Sequence, residues 1–132
     1  MTSNTQSIEI RTEAQDVLHF VANPENLPRW ATGFCESIQR DGDGWSVKTP
    51  QGEVGLKIVS HAESGVVDFH MSPAPGVCAT ASSRVVPSPV GAVYVFTQSQ
   101  APEMPDEAFQ AQVDTLGEEL KVLKNLLETA AD

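Results

Sequence analysis

The sequence is short of basic residues: 8 Lys and Arg stand against 18 Asp and Glu, giving a net charge of −10. Nucleic-acid binding needs a basic face to displace counterions from phosphates, so that class is excluded. Anionic membrane surfaces are disfavoured for the same reason. Cysteine is scarce as well. Cys35 and Cys78 are too few for a disulfide framework and are expected as free thiols in a reducing compartment. No apolar run approaches the ~20 residues of a membrane span, so no membrane insertion is expected. The opening, Met1 to Ile10, has neither the basic nor the apolar region of a signal peptide, which points to the cytoplasm. There is no glycine-rich phosphate loop, no nucleophile elbow and no paired-carboxylate motif. Cys35, Cys78 and the histidines lack metal-site spacing, and neither metal nor cofactor is expected.

What is present reads as one globular domain over residues 1–132, with 40% hydrophobic and 20% charged residues. The acid excess is spread evenly, nine acidic residues falling in 1–66 and nine in 67–132. Ser7 to Arg11 alternates polar and apolar, the period of a half-buried strand. Thr12 with Gln15 three residues on is a capping-box signature that predicts a helix from Glu13. Ala14, Val17, Leu18 and Val21 form its apolar face. Asn23-Pro24 ends that helix and opens a second, short one, stopped by Pro28 before Trp30.

Six further strands are predicted, roughly at 34–40, 45–49, 53–60, 66–71, 77–86 and 92–99. Each break between them is a Gly/Pro turn signal, and none is long enough for the crossover that parallel pairing needs. The strands must therefore form an antiparallel meander. Val67, Phe69 and Met71 share one face with Asp68 and His70 opposite. In 77–86 and 92–99 periodicity does not choose the inner face.

The tail predicts a helix over 105–130. Phe109, Val113, Leu116, Leu120, Leu123, Leu127 and Ala130 step by four and three, an apolar stripe. Glu119 lies off that stripe and is expected on the solvent face. The stripe can serve as a seam between two copies, a homodimer, or as a cover for the sheet. Six paired strands about 4.8 Å apart make a sheet roughly 29 Å wide, whereas one helix is only about 10 Å across. A twisted sheet that curls around the helix leaves a space between them, the usual setting of a small-molecule pocket.

The order of strand, two helices, strands and long helix resembles the START-like helix-grip superfamily, also called SRPBCC. Its members include polyketide cyclases, plant Bet v 1-like allergens, lipid-transfer domains and activators of the Hsp90 ATPase. The segments that carry the resemblance are Asn23-Pro24-Glu25-Asn26-Leu27-Pro28-Arg29-Trp30, Gly44 to Val47, Thr49 to Glu53, Gly65 to Asp68 and Leu120 to Glu128. The first is similar to the short-helix region of small bacterial cyclase-like members. The resemblance implies an α+β helix-grip fold: a curved antiparallel sheet of six or seven strands wrapped around a long C-terminal helix, with two short helices after the first strand.

Three functions compete at this point. The first is binding of a small, largely apolar or aromatic molecule between sheet and C-terminal helix. The others, implied by the resemblance, are a cyclase or dehydratase acting on a polyketide-like substrate, and a protein-interaction role like that of the Hsp90 activators. The candidate ligand wall comprises Trp30, Phe34, Trp45, Phe69, Met71, Arg84, Tyr94, Phe109 and Leu116. For catalysis, Arg84 and Tyr94 are the candidates, stabilising an enolate if Arg84 points inward between its small neighbours. The alternative is an outward Arg84 paired with a surface acid.

Overall fold

The computed structural model describes residues 2–130, and the backbone alone at Ala130. The chain runs β1 (Ser3–Ile10), α1 (Ala14–Ala22), a 3₁₀ turn (Pro24–Asn26), α2 (Leu27–Trp30), β2 (Ser37–Asp41), β3 (Gly44–Thr49), β4 (Gly52–His61), β5 (Val66–Ala74), β6 (Val77–Ser88), β7 (Gly91–Ser99) and α3 (Asp106–Ala130). The fold is α+β, with one seven-stranded antiparallel sheet in the order β1-β7-β6-β5-β4-β3-β2. Strands 2 to 7 are the predicted meander. The sheet continues when β1 pairs with β7 from Ser3↔Ser99 to Ile10↔Ala92. No helix among the described residues is long and apolar enough to cross a membrane.

Turn chemistry sets the strand boundaries. The β5–β6 hairpin closes on Ala74↔Val77, so Pro75 and Gly76 occupy the two central turn positions. Proline supplies the first of these and Gly76, at φ +77°, the second. The break expected at Pro73 is instead the end of β5, after a register shift between Met71 and Ala74 that relieves the ladder of the proline's missing N–H. Gly65 also sits at φ +77°, and a Cβ there would lie 2.2 Å from the Val85 carbonyl oxygen. That close approach lets the Gly65 carbonyl accept from the Val85 N–H at 2.8 Å, pinning the β4–β5 turn onto β6.

The capping box does not form. The N-cap of α1 is Glu13, without a side-chain bond. Thr12 instead donates its hydroxyl to the Leu127 carbonyl of α3 at 3.1 Å, trading a local bond for a tertiary one. Asn23 caps as expected, its Oδ1 accepting from the Glu25 N–H.

Strand parity sorts the core. Val47, Leu56, Val67, Phe69, Ala81, Val85, Ala92, Tyr94 and Phe96 line the concave face. Leu116, Leu120, Leu123 and Leu127 of α3 and Val17, Leu18 and Val21 of α1 pack on it. From Leu116 to Leu127 the stripe read from the sequence is therefore the inner face of α3; Phe109 is buried outside that cluster, Val113 is half-buried beside β1, and the Ala130 side chain is outside the described residues. α3 lies against β1 and α2, while α1 spreads over β4 to β7. Hence α3 does not cover the sheet alone. Much of the width that it leaves bare is closed by α1.

Leu120 is 2% exposed, so Leu120→Ala should cost about 2–5 kcal/mol. Lys121, exposed one residue on, should tolerate alanine within about 0.5 kcal/mol. Equal shifts of the two urea midpoints would contradict this packing.

Candidate functional site

The aromatic candidates converge on the concave face. Trp30, from the short α2, meets Tyr94 edge-on at 6.3 Å between ring centroids. Tyr94 meets Phe96 at 6.1 Å, and Phe96 meets Phe69 at 5.6 Å. All four are buried, and Tyr94 has no exposed surface. Leu116 belongs to the same core, whereas Phe34, Trp45 and Met71 are half-buried around its margin. Phe109 is buried nearer the start of α3, outside the central cluster. Trp45 sits toward the β2 edge, where the Arg40 guanidinium covers its ring at 5.2 Å.

Arg84 is not part of this wall. It is exposed, and its Nε donates to the Ser64 carbonyl at 3.0 Å, bracing the β4–β5 turn. Parity dictates the outcome: Ser83 and Val85 are buried, so the residue between them must face out. The small side chains of β6 do leave room, but their neighbours fill it. Ala79 lies opposite Met71, Ala81 opposite Phe69, and Ser83 opposite Phe96.

Tyr94 has a polar partner that the sequence did not reveal. Its hydroxyl donates to Ser83 Oγ at 3.0 Å, and Ser83 Oγ donates in turn to the Val67 carbonyl at 2.6 Å. Burial holds the phenol well above its ordinary pKa, with the Ser83 bond opposing only in part. It is therefore a neutral donor rather than a phenolate. The Trp30 indole N–H is buried without any hydrogen-bond partner. A buried polar group left in that state costs on the order of 1–3 kcal/mol.

Glu119 is the second feature hidden from the sequence, and it corrects the expected solvent placement. It is only 6% exposed, and its Oε2 accepts from the Gly33 and Phe34 N–H groups at 3.1 Å each. Gly33 lets the turn come close to α3, since a Cβ there would sit 2.5 Å from Thr115 Cγ2 and the threonine would have to shift. Burial lifts the Glu119 carboxyl from 4.5 to about 7, while the two amide bonds pull it back in part. Beside it, burial and the Glu119 charge push the Cys35 thiol up to about 11. That suppresses the thiolate which a cysteine nucleophile requires.

His70 is exposed and shares a hydrogen bond with Thr80 on the convex face. Among the described residues, no three His, Cys, Asp or Glu side chains group together to hold a metal. Two open grooves flank α3. One of about 500 Å³ runs beside β1, and one of about 420 Å³ lies against α2 between Arg29 and Val122, Asn125, Leu126 and Thr129.

Because the Glu119 pKa is raised in the folded chain, the unfolded chain ionises first as pH rises. Stability should fall between about pH 4.5 and pH 7 on this group's account. Glu119→Gln keeps an acceptor for both amides and should flatten that fall. Parallel pH profiles of the urea midpoint for wild type and Glu119→Gln would refute the assignment.

No family model matches the sequence, and no curated protein matches it. Solved structures do match its fold. XoxI from Bacillus cereus superposes with a TM-score of 0.74 at 17% identity, covering 100% of this chain and 99% of that one. MLL2253 from Mesorhizobium loti gives 0.74 at 12% identity, with 97% and 98% covered. The Aha1 dimer from Colwellia psychrerythraea gives 0.73 at 18% identity, with 97% of each chain covered. At these identities the likeness establishes a helix-grip-like fold.

Proposed function

We propose that the protein binds a small, largely apolar or aromatic molecule against the Trp30–Tyr94–Phe96–Phe69 cluster, and that the molecule carries a hydrogen-bond acceptor. The observation behind this reading is the Trp30 indole N–H, buried and unpartnered beside the Tyr94 ring. An acceptor on a bound molecule satisfies that donor, while its apolar body replaces contacts within the aromatic cluster. The packed interior must open to admit it. The segment suited to open is α2, a four-residue helix between a 3₁₀ turn and the stretch anchored by Glu119. The α2–α3 groove reaches Arg29, the residue before Trp30, and is the proposed entry.

The cyclase or dehydratase reading loses its anion partner with Arg84 on the outer face. Tyr94 remains a donor that a carbonyl oxygen can recruit away from Ser83. Binding is therefore the stronger reading.

A neutral aromatic ketone that binds here should move the Trp30 indole N–H resonance downfield and raise the melting temperature. At about 100 times its Kd, mass action contributes about 2.7 kcal/mol. Trp30→Phe should weaken that binding by about tenfold, the worth of roughly one hydrogen bond. An unmoved indole resonance across a broad panel of such ketones, or equal affinity in Trp30→Phe, would reject the site. Native mass spectrometry of protein from its own host should show the occupant directly.

A further inference from the structure

The two edges of the sheet differ in how they are protected. β2 is five residues long and ends in Arg40 and Asp41. A short, charged strand of that kind discourages further pairing. β1 runs for eight residues in unbroken register with β7, and from Ser3 to Ile8 it has no charge, no proline and no bulge.

The direction of its free backbone groups follows from one bond. The Gln100 N–H donates to the Thr2 carbonyl while the Thr2 N–H turns to the Gln100 side-chain oxygen, so 2/100 is a hydrogen-bonded position of the ladder. In an antiparallel ladder such pairs alternate. Even-numbered residues of β1 therefore bond to β7, and odd-numbered ones aim their N–H and C=O outward. α3 caps the far end of that row. Lys124 Nζ donates to the Glu9 carbonyl at 2.7 Å, and Glu128 accepts from the Arg11 N–H at 2.9 Å. Ser3, Thr5 and Ser7 are left with outward groups beyond the reach of these caps.

Alongside this stretch runs the 500 Å³ groove between β1 and α3. Gly117 contributes no side chain to its helix wall, and a Cβ there would meet only Gln6 Oε1, at 3.2 Å. Asp114 and Glu118 stand on the same wall. The one cation among them, Lys121, already faces Glu118 at 3.4 Å.

We propose that the β1 edge from Ser3 to Ser7 docks an extended segment of a partner protein, which joins the sheet as an eighth strand and carries lysine or arginine at alternate positions. Main-chain bonds to Ser3, Thr5 and Ser7 hold the segment. Every second side chain of such a strand points the way Gln6 and Ile8 do, into the groove facing Asp114 and Glu118. Charge complementarity selects basic residues there, in keeping with the net charge of −10. A second copy of this chain fits less well, because antiparallel β1–β1 pairing sets two acidic α3 faces side by side.

The test selects peptides of about eight residues, a typical strand length, from a random display library against the full chain. Selected peptides should carry Lys or Arg at alternate positions. They should also slow amide exchange at Thr5 and Ser7. Thr5→Pro removes an outward N–H that β7 does not use, and should weaken binding by about tenfold or more, as should the double variant Asp114→Lys/Glu118→Lys. If Thr5→Pro fails to fold, the charge reversal and the exchange pattern decide. Failure to enrich any peptide, equal binding by the variants, or unchanged exchange at Thr5 and Ser7 would overturn the proposal. So would concentration-dependent self-association abolished by Thr5→Pro, which would assign the edge to a second copy.

Discussion

The structure depends on the apolar stripe of α3 meeting the concave face of the sheet. Leu116, Leu120, Leu123 and Leu127 are each at most 5% exposed, and they share one core with α1, Trp30 and the inner residues of β3 to β7. A curved sheet of this width with one naked face is not stable in water, since burial of that apolar area is the main favourable term in folding. Everything else adjusts to this contact. Thr12 gives up its local cap to reach Leu127, Gln6 donates to the Val113 carbonyl, and Glu119 draws the Gly33–Phe34 turn against the helix. α3 thus organises both the core and the polar bonds around it.

Most of the architecture was legible because periodicity and turns are local signals. The meander from β2 to β7, the long helix and the Asn23-Pro24 cap all follow from spacing and from Gly/Pro punctuation. The pairing of β1 with β7 was not legible, since partners about a hundred residues apart leave no mark on either segment. The inner face of β6 was ambiguous for a physical reason. Its buried side chains are Ala81, Ser83 and Val85, and only the valine looks like a core residue, because Phe69 and Phe96 on neighbouring strands supply the bulk. That ambiguity misplaced Arg84.

The candidate site was half legible. The rings of Trp30, Phe69 and Tyr94 were named as candidates, but periodicity left the side of Tyr94 and Phe96 open, and nothing pointed to Ser83. Glu119 was the clearest miss. A carboxylate next to an apolar stripe reads as solvent-facing, and its burial is made tolerable by the Gly33 N–H and by the Phe34 N–H, which it shares with the Ala31 carbonyl. A helical position one residue beyond the stripe, opposite a glycine-bearing turn, is the pattern to look for. The aromatic cluster holds a closed polar chain, Tyr94 to Ser83 to Val67, and an open donor at Trp30. The closed chain fixes the Tyr94 ring, while the open donor is an uncompensated cost, as are the buried oxygens of Asn4, Ser88 and Gln98.

The β1–β7 pairing also has a kinetic meaning. Ser3 and Ser99 share a hydroxyl hydrogen bond across 96 residues of chain, so β1 finds its place only after the whole meander exists. Every other strand pair forms between neighbours in sequence, through a short turn. The loop-closure entropy of the fold is therefore concentrated in one late event. Until that event occurs, β7 has an open edge, and the uncharged stretch from Ser3 to Ile8 has no partner. During synthesis β1 emerges ahead of β7, and until the two pair, both strands are open to contacts with other chains.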